Sequence, residues 1–218
     1  MRARLGHTAR AIIWLPAIVA GVAGVLVVVA LHDREAATPL EAVAILLASA
    51  AGFAFDDPAA EVLAASPTTL RQRRTARLAL LGAPIVLTWL ALVAAQGPAS
   101  WAEMWALAAM FAGLLGLSLS IAGVAGRRST TGRGGIVAGP GLFVLVIAST
   151  LIPPRWRPLP LGDVPGGWTP IYVRWSAAAA IGLLVFLWSS QDPARITPRL
   201  WIGRREAGSS AMTDQRRA

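Results

Sequence analysis

The chain has 218 residues, of which 56 % are hydrophobic and 14 % charged, and its mean hydropathy is +0.60, which is too apolar for one water-soluble domain. It contains no cysteine, which removes disulfides, thiolate metal sites and cysteine nucleophiles from consideration. A net charge of +9 invites a nucleic-acid reading, but the arginines stand in short clusters between long uncharged runs, a placement that points to membrane topology and to no nucleic-acid partner.

A membrane-spanning helix needs about 20 mostly apolar residues. The first is expected over 11–31, where Ala11 to Leu31 carries no Asp, Glu or Arg. The preceding MRARLGHTAR is basic, as in a secretory leader. The apolar run exceeds the usual leader core, however, and LHDREAATP offers no clear small-x-small cleavage site, so the helix is read as retained. The second span is expected over 38–55. Its uncharged stretch is short, Ala42 to Phe55, and starting at Thr38 places Pro39 in the first turn, gives roughly 27 Å of helix and leaves Glu41 at the interface. A re-entrant or peripheral helix is the alternative.

The loop over 56–77 reads DDPAAEVLAASPTTLRQRRTAR. Asp57 can cap a helix begun by Pro58, Glu61 suits its positive N-terminal end, and Val62 and Leu63 give it an apolar face. Ser66 and Pro67 repeat the cap-and-proline signal and start a second helix that runs through the arginines into the third span. Arg71, Arg73, Arg74 and Arg77 are expected at the membrane surface, near anionic headgroups.

The third and fourth spans are expected over 78–96 and 103–125. The fourth carries small residues at four-residue spacing, Ala108, Ala112, Gly116 and Ser120, which allow another helix close approach, either within the bundle or at a subunit interface. Glu41 and Glu103 read as solvated carboxylates at helix ends. The fifth span is expected over 136–153, with GPG at Gly139 to Gly141 as a kink, and the sixth over 174–190. Between them, the segment 153–174 is dense in proline and glycine and holds Trp156, Trp168 and Tyr172. It reads as a structured cap, either a re-entrant element or an ordinary interfacial loop. Residues 191–218 form a basic tail beyond a single transmembrane domain, 1–190.

Arginine counting sets the orientation, because loops rich in Arg stay in the cytoplasm. With six spans and cytoplasmic termini, 16 arginines lie inside, in the clusters beginning at Arg2, Arg71, Arg127 and Arg195, and 4 lie outside: Arg34, Arg155, Arg157 and Arg174. Five spans in their better orientation give 14 against 6. The expected fold class is therefore all-α, a polytopic integral membrane protein of six transmembrane helices with both termini cytoplasmic.

Catalysis finds no foothold. His7 and His32 flank the first span on opposite membrane faces, so they cannot share a metal, and no H-E-x-x-H or G-x-S-x-G arrangement occurs. No charge is expected near the bilayer midplane, where gradient-driven transporters place theirs. Any uphill transport needs energy from another subunit, since a Walker A loop requires a lysine and the chain has none.

The FDDPAAEVLAASPTTLRQRR region, together with the six-span plan, resembles the membrane subunits of ABC-2 type ABC transporters, also called type V exporters. In that family the connection between spans two and three is a coupling helix that docks on the ATPase, and the connection between spans five and six is outside and often re-entrant. The resemblance implies a permease subunit of an ATP-driven exporter in a bacterial plasma membrane. Asp57, Pro58, Glu61, Val62, Leu63, Ser66 and Pro67 would couple it to separate ABC ATPase subunits that hold ATP and Mg. The chain itself would be non-catalytic and cofactor-free, paired with a second copy or a homologous permease, with an accessory protein as a further partner. The alternative is a non-transporting membrane scaffold or regulatory subunit; a small channel or intramembrane enzyme stands behind both.

Overall fold

The computed structural model describes residues 12–33, 37–56, 70–97, 100–128, 134–153 and 169–191. Among these every regular element is helical: α1 (Leu15–Ala30), α2 (Ala37–Ala51) prolonged by a 3-10 turn (Gly52–Phe55), α3 (Leu70–Gln96), α4 (Trp101–Arg128), α5 (Gly135–Thr150) and α6 (Thr169–Ser189). Four of them are long and apolar enough to cross a membrane: α2 with its turn, α3, α4 and α6. The remaining two, α1 and α5, are apolar but only 16 residues each, about 24 Å, somewhat short of a hydrocarbon core of about 30 Å.

Local chemistry explains several boundaries. Pro16 occupies the first turn of α1, where its missing N–H costs nothing, and the Ile18 N–H bonds the Trp14 carbonyl at 3.0 Å. Gly97 ends α3 with φ +59°, a conformation that favours glycine, and its N–H returns to the Val93 carbonyl at 3.1 Å. Ser100 opens α4: its Oγ accepts the Glu103 N–H at 3.2 Å, and Ser-x-x-Glu is a capping-box spacing. Helix α3 already begins at Leu70, so the arginines from Arg71 onward belong to one helix with the apolar third segment.

The doubtful second segment turns out to be the centre of the bundle. In its spanning window 78 % of residues are buried, and α2 packs against α1, α3, α4 and α5. A peripheral placement is therefore set aside. Leu40, Val43, Ala44, Leu47 and Ala48 of α2 form the core with Leu81, Ile85 and Trp89 of α3, Leu107, Met110 and Leu114 of α4, and Leu142 of α5. The Trp89 and Phe111 rings stack at 4.7 Å between centroids.

The most extensive helix pairing is α4 with α6. It depends on glycine: a Cβ on Gly116 would stand 3.2 Å from the Gly182 Cα, and the Gly113 backbone lies against Trp175. The Ser120 hydroxyl donates to the Gly116 carbonyl at 2.7 Å, with the Gly182 carbonyl 3.4 Å away. The close-packing face is thus Gly113, Gly116, Ser120 and Gly123 rather than the four-residue row read from the sequence. Ala112 of that row is exposed and Ala108 half-buried.

Large apolar side chains cover the outside of the bundle. Leu15, Ile18, Val22, Leu26 and Val29 of α1, Leu87 and Leu90 of α3, Val144 and Ile147 of α5, and Leu183 and Leu184 of α6 are all exposed, whereas α2 contributes none. A water-soluble protein does not carry an apolar surface of this extent; lipid is the solvent it fits.

Candidate functional site: an arginine clasp at one end of the bundle

Among the described residues, most side-chain hydrogen bonds that join different helices lie at one end of the bundle. There the C-terminal ends of α2, α4 and α6 meet the N-terminal ends of α3 and α5. From α2 onward, helices consecutive in the chain alternate in direction, so the closely packed α4 and α6, which both end here, run parallel.

Asp56, the residue after the 3-10 turn, is the pivot. It is buried, and its Oδ1 accepts the Gly135 N–H at 2.6 Å, placing a carboxylate at the positive N-terminal end of α5. The Asp56 carbonyl accepts a hydrogen bond from Nη1 of Arg77 at 2.6 Å. Arg77 is itself buried, so α3 is tied to the end of α2 by a charge-assisted bond shielded from water. Glycine at 135 is a requirement of this geometry: a Cβ there would stand 2.6 Å from the Phe53 Cα, inside contact distance of the turn's backbone.

A second knot lies beside the first. The Ser189 carbonyl, at the end of α6, accepts hydrogen bonds from Nη1 of Arg74 and from Nε of Arg127, the latter at 2.9 Å. Nη2 of Arg127 also donates to the Trp188 carbonyl at 2.9 Å and the Gln191 carbonyl at 2.7 Å. The Trp188 and Ser189 carbonyls belong to the last turn of α6, where a helix lacks its own donors, and cations there complement the helix dipole. The guanidiniums also stack, Arg74 over Phe55 at 4.9 Å and Arg127 over Trp188 at 4.5 Å, while Phe55 meets Phe186 edge-on at 5.8 Å.

Two sequence expectations need correction. Arg71 is exposed, but Arg74 and Arg77, expected at the lipid headgroups, spend their hydrogen bonds inside the bundle end on backbone carbonyls. A guanidinium carries five donors and finds concentrated acceptors at helix termini, so it need not reach for the membrane surface. Arg73 is half-buried. Glu41 and Glu103, expected to be solvated, are 2 % and 6 % exposed. Glu41 lies on the central helix, where every neighbour is protein, and neither of its carboxylate oxygens meets a hydrogen-bond partner among the described residues.

The loop residues Asp57, Pro58, Glu61, Val62, Leu63, Ser66 and Pro67 lie outside the described residues. Both roots of that loop are described: Asp56 at one end and the first turns of α3 at the other, joined through Arg77. Among the described residues no group of three metal-ligating side chains comes together. The residues that sequence reasoning missed are Asp56, Arg127 and Ser189. Arg127 entered only as a topology count, and nothing in Ser189 marks a backbone acceptor. For Asp56 the Gly134–Gly135 pair was a signal, since a helix that starts on two glycines leaves room for another chain segment at its end. Set beside known protein families, curated proteins and solved structures, the chain finds no match.

Proposed function

We propose that this chain is the permease subunit of an ATP-driven ABC exporter, a six-span protein of a bacterial plasma membrane with both termini in the cytoplasm. Separate ABC ATPase subunits, which hold the ATP and Mg, would dock on the loop 57–69, and a second copy or a homologous permease would complete the translocation path, with an accessory protein as a further partner. One observation carries the reading: the loop springs from Asp56 and returns into α3, and Asp56 is clasped to Arg77 of α3 and to the N-terminus of α5. A force applied to the loop is delivered to three helices at once, and through Arg74 and Ser189 to a fourth. An ordinary surface loop has no need of a buried root tied to two other helices; a lever does.

The test is ATPase copurification from native membranes and nucleotide turnover. Val62→Asp or Leu63→Asp places a charge where an apolar face would dock, and desolvating it should lower ATPase association at least tenfold while the bundle stays folded. Arg71→Gln, at an exposed position, should leave association near wild type. Unaltered association and turnover in both loop variants, with intact folding, would move the scaffold reading ahead. The isolated chain should neither bind nor hydrolyse ATP.

A further inference from the structure

A cavity of about 350 Å³ opens between α4, α5 and α6, at the end of the bundle away from the clasp. Leu114, Leu142, Leu145, Val146 and Trp175 form apolar walls, and Arg174 lines it too. Its size falls at the small end of the range for small-molecule sites. The wall formed by α5 runs from Leu142 to Ser149, about 10 Å along the helix axis. Val144 and Ile147 of α5, and Leu151 just after it, are exposed beside it, so the groove opens onto the apolar girdle rather than into the core. Arg174 is exposed and stands early in α6, close to the level at which α5 ends.

From this arrangement we infer that the groove is a binding site for an anionic phospholipid of the leaflet at this end, with an acyl chain along the apolar walls and the phosphate on Arg174. Three features select that occupant. The walls are almost wholly apolar and face the membrane, so the molecule that reaches them arrives from lipid. Among the described residues the one ionised side chain lining the groove is a cation, and a planar guanidinium suits a phosphate through paired hydrogen bonds. Trp175 is buried with its ring packed over Gly113, which gives the groove a close-packed apolar floor against which a chain can lie. The inference requires the membrane setting of the girdle but not the transporter assignment, and it survives if the ATPase experiment fails.

The experiment is native mass spectrometry of the purified chain after equilibration with equal amounts of phosphatidylglycerol and phosphatidylcholine. Wild type should retain phosphatidylglycerol in preference to phosphatidylcholine. Arg174→Gln should lower phosphatidylglycerol retention roughly tenfold without changing phosphatidylcholine, as expected for a lost charge-assisted bond, while Arg174→Lys keeps the preference. Ala178→Trp, which fills the groove, should lower retention of both lipids; Leu145→Trp at the lip does the same should the first variant fold poorly. Equal retention of the two lipids by wild type, or undiminished phosphatidylglycerol on folded Arg174→Gln, would overturn the assignment.

Discussion

Asp56→Ala tests the pivot of the clasp. The substitution strips the acceptor from the Gly135 N–H, a bond of 2.6 Å in a buried setting, and leaves that donor with no water to turn to. An orphaned buried donor costs about 1–3 kcal/mol. Losing the carboxylate from the N-terminal end of α5 adds about 1 kcal/mol of helix-dipole interaction. The Arg77 bond goes to the Asp56 backbone carbonyl, which alanine retains, so it stays out of the sum. The expected loss is about 2–4 kcal/mol. Asp56→Asn keeps an acceptor oxygen and forfeits only the charge, for about 1 kcal/mol. Unfolding in graded SDS, followed by tryptophan fluorescence from the nine tryptophans, reads both. Asp33→Ala is the control, because Asp33 and its partner His32 are exposed, and such a surface pair contributes no more than about 1 kcal/mol. If Asp56→Ala unfolds no more readily than Asp33→Ala, or if Asn and Ala cost the same, the carboxylate is not what holds α5 to the turn.

Gly182→Val should abolish the α4–α6 contact, since a Cβ at 182 runs into the Gly116 backbone, and the readout is a collapse in folded yield that Gly21→Val, with open space around its Cβ position, does not show. Glu41→Met should keep or raise the SDS unfolding midpoint, because a buried carboxyl without a hydrogen-bond partner among the described residues is replaced by an apolar side chain of similar size; a drop of more than about 1 kcal/mol would mean that another part of the protein holds the carboxyl. Cysteines placed at Ser129 and Thr213 should be shielded from an impermeant thiol reagent in intact cells and one at Gly166 labelled; the reverse pattern would overturn the proposed six-span orientation.

The membrane class and the helical segments were legible because they depend on sums over many residues: twenty apolar positions outvote any single one. The end of α3 at Gln96 coincides with the expected bound of the third span, and the cause is local: Gly97 acts on its own neighbours. The central role of α2 was not legible, because its short uncharged run reads as weak, whereas a helix surrounded by protein does not need the apolar length of one surrounded by lipid. Glu41 shows the same point from the other side. A carboxylate near a helix end looks solvated until the helix proves to be the hub. The inward turn of Arg74 and Arg77 was hidden for a different reason: their acceptors are backbone carbonyls, which every residue possesses and no sequence displays. The glycine face of α4 was half legible, since the spacing of small residues was visible but the helix rotation that favours Gly113 over Ala112 is set by Gly182 on a distant segment.

The caps on α6 carry a consequence for the order of assembly. Arg74 and Arg127 are synthesised well before the Trp188, Ser189 and Gln191 carbonyls to which they donate, and the glycine face of α4 is made before the Gly182 it accepts. Until α6 emerges, both guanidiniums and that bare groove of backbone stand without their counterparts, and a ribosome stalled before residue 169 would present them to whatever surveys unfinished membrane proteins. The helix made later closes the ones made earlier, so neither the packing face of α4 nor the two arginine contacts are complete until α6 is in place.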